Sequence, residues 1–224
     1  MSRESYREEL SALREAVVAL SETVVDRLEL ALSSLATGDD EAARRVVDGD
    51  SEINDRYLEL EGNCIDLFAL QQPVAGDLRF VAASFKILTD LERIADLATN
   101  LAEYALDTPR STVPDVDVQA LGESVVEMVE MAINAYAEAD AEACFAIDEY
   151  DDSVDQRCAD ASDAIVRDLI EREATATDST IEDLLADVSR LLLTIRDLER
   201  VGDHAVNIAA RTLYMVENDD ELIY

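Results

Sequence analysis

Apolar residues recur every three or four positions along most of the chain, which is the spacing of one buried face of an α-helix. The first such face contains Leu10, Leu13, Val17, Leu20, Val24, Leu28, Leu32 and Leu35. The face of the next helix contains Val46, Ile53, Tyr57, Leu60, Ile65 and Leu67. Helices are predicted over about residues 3–36, 39–70, 74–106, 116–138, 140–172 and 179–217. The pattern therefore predicts an all-α protein with six long helices.

Residues that favour helix ends divide the first half of the chain. Gly38 is expected to cap the first helix, and Asp39 is expected to begin the second. Pro73 separates the second helix from the third, because proline cannot continue a helix without losing a hydrogen bond. The only stretch with two prolines follows Leu106, and it is read as a linker between two halves.

The second half of the chain repeats the first. With a shift of 101 residues, Asp50-x-x-Ile-Asn54 aligns with Asp151-x-x-Val-Asp155. With a shift of 107 residues, Asp90-Leu-Glu-Arg-Ile-Ala-Asp96 returns as Asp197-Leu-Glu-Arg-Val-Gly-Asp203. A duplication of this kind decides the architecture. It predicts two tandem antiparallel three-helix bundles, 1–108 and 116–224, joined by a linker at 109–115.

Charge changes this picture, because 52 acidic residues against 18 basic ones give a formal net charge of -34. The acids are spread over every segment, as expected of a protein from a halophile, where concentrated salt screens their repulsion. Direct nucleic-acid binding is not expected, since it requires cationic contacts. The three cysteines are odd in number and lack CxxC spacing, so reduced thiols are predicted. A polar amino terminus and the lack of a long apolar run predict a cytoplasmic protein, peripheral to a membrane at most.

Some acids form columns on the predicted helices. Glu92, Asp96 and Asn100 are four residues apart and lie beside a core stripe, and a copy of this column consists of Glu199, Asp203 and Asn207. The second helix of each half adds a partner column, Asp50 with Asn54 and Asp151 with Asp155. Like charges at this spacing destabilise a helix. Cations would relieve that repulsion, and oxygen ligands favour magnesium, calcium, manganese or iron.

Two alternatives compete with a metal site. Arg93 and Arg200 adjoin the acids and offer salt bridges, so the chain could be a metal-free helical adaptor whose acids serve solubility. A di-metal carboxylate enzyme would need Glu-x-x-His motifs, whereas the single histidine, His204, lies in none and is expected to form a surface ion pair. Since no nucleophile and base are spaced for catalysis, an enzyme is not expected.

The strings Gln72-Pro-Val-Ala-Gly-Asp-Leu-Arg79, Asp90 to Asp96 and Asp197 to Asp203 resemble the PhoU family of phosphate-uptake regulators. The resemblance implies two three-helix bundles that bind divalent or trivalent metal ions, with iron, zinc, manganese, magnesium and calcium all open. It also implies contact with the phosphate ABC transporter, through its ATPase subunit, or with a phosphate-signalling protein, and repression of uptake. Independently of the resemblance, cations between acid-rich faces would favour a homodimer. Together with the charge, the resemblance suggests a halophilic archaeon. The implied metal ligands are Asp50, Glu92, Asp96, Asp151, Asp155, Glu199 and Asp203.

The two halves depart unequally from the family pattern. Asn54 replaces an acid in the first half, and Ala95 stands where the motif usually has glycine. Asp77 and Arg79 have no counterpart in the second half. The second half is therefore predicted to hold the stronger metal site.

Overall fold

A computed structural model describes residues 3–70, 75–107, 117–173 and 178–223, and every regular element in these ranges is an α-helix. The helices are α1 (Arg3–Thr37), α2 (Asp40–Asp48), α3 (Asp50–Leu70), α4 (Ala75–Leu106), α5 (Val118–Glu138), α6 (Ala141–Glu173) and α7 (Asp178–Glu217). The all-α prediction is confirmed. The predicted linker 109–115 lies outside the described residues, so the domain boundaries remain a prediction.

The second predicted helix is divided in the structure. It stops at Gly49, whose N–H donates to the Val46 carbonyl at 3.2 Å, and it restarts as α3. The guanidinium of Arg27 fills the space where a side chain at Gly49 would lie. The same guanidinium donates to Glu52 at 2.9 Å. The apolar spacing continues across this break, which is why the sequence predicted one helix.

The helix ends next to α1 follow the prediction. Gly38 adopts a left-handed φ of 68° and donates to the Ser34 carbonyl at 2.8 Å. The carboxylate of Asp39 accepts hydrogen bonds from the first N–H groups of α2. In the second half the equivalent left-handed residue is Ala139, with φ 56°. Asp140 follows it and accepts from the first N–H groups of α6.

The core is aliphatic and runs through both halves, because α4 and α7 pack against each other as well as inside their own bundles. The predicted core stripes are buried, with Leu88, Leu91, Ala95, Ala98 and Ala102 on α4 and Ile195, Leu198, Gly202, Ala205 and Ala209 on α7. Ile65 was wrongly predicted for the apolar face of the second helix, since it is 54% exposed. Its neighbour Cys64 is buried, and a rotation of about 100° per residue turns Ile65 away from that face.

Helices α4 and α7 run antiparallel across the interface between the halves. His204 contacts Asp90 at 2.9 Å, and Asp197 contacts Tyr104 at 2.9 Å. Moving from Asp90 to Tyr104 along α4 therefore means moving backwards along α7. This antiparallel packing of the two copies of one helix is the arrangement that a pseudo-twofold axis between the halves would produce.

Two further expectations concern the thiols and the membrane. Cys64, Cys144 and Cys158 are buried, and none of them is in a disulfide, as their number and spacing predicted. Within the described ranges, none of the helices combines the length and the apolar character needed to cross a bilayer.

Candidate metal centre

The carboxylates predicted for the second half come together between α6 and α7. Asp151 and Asp155 lie one turn apart on α6, and Glu199 and Asp203 lie one turn apart on the antiparallel helix α7. These four residues are called the second-half site below. Burial, followed by the charges of Asp155 and Asp203, raises the pKa of Asp151 to about 7. Burial and neighbouring acids also raise the pKa values of Asp155 and Glu199, so the carboxylates of the two helices repel one another.

Two oxygens in the second-half site have no hydrogen-bond donor. Asp151 Oδ1 and Asp155 Oδ1 are buried, and among the residues that the structure describes no group donates to either. A buried carboxylate oxygen without a partner is destabilising by about 1–3 kcal/mol or more. The two oxygens lie one helical turn apart on the side of α6 that faces α7. One bound cation between the helices could therefore neutralise both carboxylates. The donor set therefore fits a hard cation.

Gly202 makes room for one of these carboxylates. A Cβ added to Gly202 would lie 2.9 Å from Asp151 Oδ1 and 3.6 Å from Met128 Cε. No real side chain tolerates the first distance, so the missing methyl group is what lets the Asp151 carboxylate lie against α7. The equivalent residue of the first half is Ala95, which carries that methyl group.

The first half brings Asp50, Glu92 and Asp96 together, and these three residues are called the first-half site. They line an open groove of about 620 Å³ between α3 and α4. Burial raises the pKa values of Glu92 and Asp96, and the charge of Asp50 adds to both. Arg93 opposes this effect by lowering both pKa values. The same groove is lined by Arg200, which comes from the other half.

Asp50 differs from its repeat partner because its oxygens already have donors. The Asn54 amide donates to Asp50 Oδ2 at 2.9 Å, and the Thr99 hydroxyl donates to Asp50 Oδ1 at 3.3 Å. The sequence indicated the role of Asn54 and placed Arg200 beside the acids of its own half. It gave no sign that Thr99 would donate to Asp50 or that Arg200 would line the first-half groove. A cation in this groove would compete with these hydrogen bonds and with two arginines, so the first-half site fits a metal less well.

The acids of the two sites lie in columns along their helices, and their oxygens do not yet surround a common point. Over the ranges that the structure describes, no three carboxylate, imidazole or thiolate side chains converge closely enough to hold a metal ion as they stand. Since like charges separate when nothing lies between them, a bound cation would draw the second-half carboxylates together by side-chain rotation. The duplicated motif would therefore supply the ligands, and a bound ion would complete the geometry.

The first acid of each motif is not part of these columns. Asp197 is fully buried and accepts hydrogen bonds from Tyr104 at 2.9 Å and from Arg196 at 2.8 Å. Asp90 pairs with His204, which is 9% exposed. The prediction that His204 forms a surface ion pair is wrong, because its pair with Asp90 is largely buried at the interface between the halves. Asp90 and Asp197 hold the two repeats together.

The chain matches known proteins over nearly its full length. The sequence profile of the PhoU domain matches residues 17–105 and 118–212. A Pseudomonas aeruginosa protein named phosphate-specific transport system accessory protein PhoU homolog is 30% identical over 97% of this chain and 87% of its own length. A Methanothermobacter thermautotrophicus protein named PhoU homolog 1 of the same system is 31% identical over 94% of each chain.

Solved structures agree with these sequence matches. The crystal structure of PhoU from Pseudomonas aeruginosa superposes with a TM-score of 0.85 at 29% identity, and covers 96% of this chain and all of that one. The structure of the phosphate transport system regulatory protein PhoU from Streptococcus pneumoniae superposes with a TM-score of 0.84 at 25% identity. It covers 96% of this chain and 98% of its own. The similarity therefore extends to both bundles and their order.

Proposed function

The chain belongs to the PhoU family, and on that premise we propose that it is a regulator of phosphate uptake and phosphate homeostasis. It acts in the cytoplasm as a helical adaptor, by contact rather than by catalysis. The relatives that cover the whole chain are named as accessory proteins of a phosphate-specific transport system. The partner is accordingly the phosphate ABC transporter, through its ATPase subunit, or a phosphate-signalling protein, and the contact represses uptake.

Metal binding is the second part of the proposal. Asp151, Asp155, Glu199 and Asp203 would hold the ion, and Asp50, Glu92 and Asp96 would form a weaker second site. The two buried oxygens without donors, Asp151 Oδ1 and Asp155 Oδ1, carry this argument. A bound iron, manganese, magnesium, calcium or zinc ion would neutralise these carboxylates and fix α6 against α7. Cations between acidic faces would also favour a homodimer, which size-exclusion chromatography with and without EDTA tests.

Metal analysis of the purified chain tests the site. The wild-type chain should retain metal after gel filtration in concentrated KCl, and Glu199→Gln/Asp203→Asn should lose it. The matched control is Glu22→Gln/Asp26→Asn, an exposed acid pair with the same spacing on α1. Equal metal content in the wild-type chain and the Glu199→Gln/Asp203→Asn variant would refute the site.

Partner capture tests the regulator role. The purified chain is mixed in concentrated KCl with the ATPase subunit of a phosphate transporter from the same organism, and the complex is sought by gel filtration. Co-elution that is weakened by Glu199→Gln/Asp203→Asn but not by Glu22→Gln/Asp26→Asn is the expected result. Separate elution under every metal condition would contradict the contact.

A metal-free adaptor is the second candidate, and the first-half site favours it. Both oxygens of Asp50 have protein donors, so that half is satisfied without an ion. If the whole chain behaved in this way, EDTA would leave its melting temperature unchanged in concentrated salt. A melting temperature that falls with EDTA and recovers with added metal would support the metal-binding regulator instead.

A further inference from the structure

The same two surface positions carry exposed apolar side chains in both halves of this very acidic chain. Ile65 on α3 is 54% exposed, and its repeat partner Val166 on α6 is 42% exposed. Leu78 on α4 is 44% exposed, and its repeat partner Leu185 on α7 is 48% exposed. Single exposed apolar residues need no explanation. Exposure at the same two positions in both repeats does need an explanation, because each bundle packs its own core and neither core buries this pair.

Each pair lies on two consecutive helices of one bundle, and together with one further exposed apolar residue it is called a patch below. The first patch is Ile65, Phe68 and Leu78, which lie within a few turns of the end of α3 and the start of α4. The second patch is Val166, Ile170 and Leu185, at the corresponding ends of α6 and α7. Ile170 is the most exposed of the six, at 63%. Each patch residue is at least eleven residues, about three helical turns, from the carboxylates on its own helix that are proposed to hold metal.

The two patches lie at opposite ends of the molecule. Helices α4 and α7 are antiparallel, with Asp90 opposite His204. Leu78 precedes Asp90 on α4, and Leu185 precedes His204 on α7, so the two leucines extend in opposite directions from this contact. At about 1.5 Å per helical residue they are roughly 45 Å apart. A pseudo-twofold axis between the halves would therefore also relate the patches.

The charges beside the patches select the partner. In the first patch Asp66 is exposed next to Ile65, and Asp77 is partly exposed next to Leu78. In the second patch, exposed Glu171 adjoins Ile170, and Glu182 lies one turn before Leu185. Arg167 adjoins Val166, but it forms an ion pair with Asp163 at 3.9 Å. An apolar centre with an acidic border complements an apolar surface with a basic border. A second copy of this chain would present the same acidic border, which only bound cations could neutralise, and an anionic membrane would be repelled.

We propose that each patch is a docking surface for a basic amphipathic helix of a partner protein, and that one chain binds two such helices at its opposite ends. The docked helix would place its apolar face on the patch and its lysines or arginines against the flanking acids. Such an arrangement allows the chain to bridge two identical partner subunits around its pseudo-twofold axis. The inference rests on the proposed function only for the idea that the chain acts by contact.

A model peptide tests the surface without any transporter component. The probe is a fluorescent peptide of about four helical turns with leucines on one face and lysines on the other. The control peptide has serines in place of the leucines and the same charge. Binding to the full chain is followed by anisotropy in about 1 M KCl, where the Debye length of about 3 Å suppresses unspecific attraction. The leucine peptide should bind at two equivalents per chain, and the serine peptide should bind more weakly by roughly tenfold or more.

Variants assign the binding to the patches. Ile65→Gln/Leu78→Gln should reduce the stoichiometry from two peptides to one, and Val166→Gln/Leu185→Gln should do the same. The fourfold variant should weaken binding by roughly tenfold or more. Phe145→Gln is the matched control, because Phe145 is 38% exposed on α6 and its repeat partner is Arg44. All of the substituted side chains are exposed, so the helical circular dichroism of each variant should match that of the wild-type chain.

Four results would overturn the docking surface. One is equal peptide affinity in the wild-type chain and the fourfold variant, and a second is equal affinity for the two peptides. Another is self-association that disappears in the fourfold variant, which would assign the patches to contacts between copies of this chain. The last is patch-dependent binding to phosphatidylglycerol vesicles, which would assign them to a membrane. Failure with the peptide leaves the transporter-capture experiment unaffected, so the two proposals fail separately.

Discussion

His204 Nδ1 lies 2.9 Å from Asp90 Oδ1, so the single histidine of the chain joins the second repeat to the first. Both side chains are largely buried between α4 and α7, at 11% and 13% exposure. The equivalent of His204 in the first repeat is Leu97, which shows that the fold itself does not require a histidine at this position. The pair is therefore a specific tie between the halves.

Replacement of His204 by leucine should destabilise the chain through Asp90. The carboxylate would keep its buried position and lose its partner, at a cost of about 1–3 kcal/mol. Thermal unfolding in concentrated KCl measures the effect. Asp90→Asn in the same background should recover part of the loss, because an amide is less costly to bury than an unpaired carboxylate. Additive effects of the two substitutions would show that the pair contributes nothing.

Replacement of Gly202 by alanine should weaken metal binding more than it changes stability. The new methyl group would lie 2.9 Å from Asp151 Oδ1 and force that carboxylate away from α7. Only the end of a short side chain has to move, so the fold is retained. The control is Gly62→Ala, since a Cβ at Gly62 meets nothing within 4 Å. Metal titration should show weaker binding in Gly202→Ala and unchanged binding in Gly62→Ala, and equal affinities would contradict the role of Gly202.

The stability of the metal-free chain should fall as the pH rises from about 4 to about 7. Burial and neighbouring acids raise the pKa of Asp151 from 3.8 to about 7, so the folded chain keeps a proton that the unfolded chain has released. Ionising Asp151 in the folded state then costs up to about 4 kcal/mol. Asp151→Asn should flatten this part of the stability curve, whereas Asp152→Asn, at an exposed position, should leave its shape unchanged. Parallel curves for all three chains would refute the coupling.

The duplication made most of the fold predictable. Helical periodicity and two copies of one acidic string were sufficient for the bundles, the buried stripes and the pairing of acid columns between helices. Features that depend on contacts between distant residues were not predictable. The break at Gly49 involves Arg27, which is on another helix, and the donor to Asp50 Oδ1 is Thr99 on α4.

Dependence on contacts between distant residues also explains why the sequence did not separate the buried acid of each motif from the exposed ones. Asp197 and Glu199 look alike in a helical pattern, yet one is fully buried and the other is exposed. Rotation about the helix axis separates the two residues. Which of them meets a hydroxyl such as that of Tyr104, and which meets other carboxylates, depends on how α4 and α7 cross. That crossing is a property of the packed molecule and not of the local sequence.

Ala139 offers a stabilising substitution that the repeat itself identifies. It adopts φ 56°, in the left-handed region, at the position where the first half has Gly38 with φ 68°. An L-residue with a side chain is disfavoured there by roughly 1–2 kcal/mol, and glycine is not. Ala139→Gly should therefore stabilise the chain by about 1 kcal/mol, and Gly38→Ala should destabilise it by a similar amount.

Thermal melts in concentrated KCl should show the two effects as shifts of about 2–4 °C in opposite directions. Gly62→Ala is the control for the loss of a glycine as such, because Gly62 lies within a regular helix and has open space around it. Alanine is the better helix former, so Gly62→Ala should raise the melting temperature although Gly38→Ala lowers it. If both glycine substitutions changed the melting temperature in the same direction, the left-handed backbone would not be the cause. The cap after α1 and the cap after α5 would then not be equivalent in energy, although they are equivalent in sequence position.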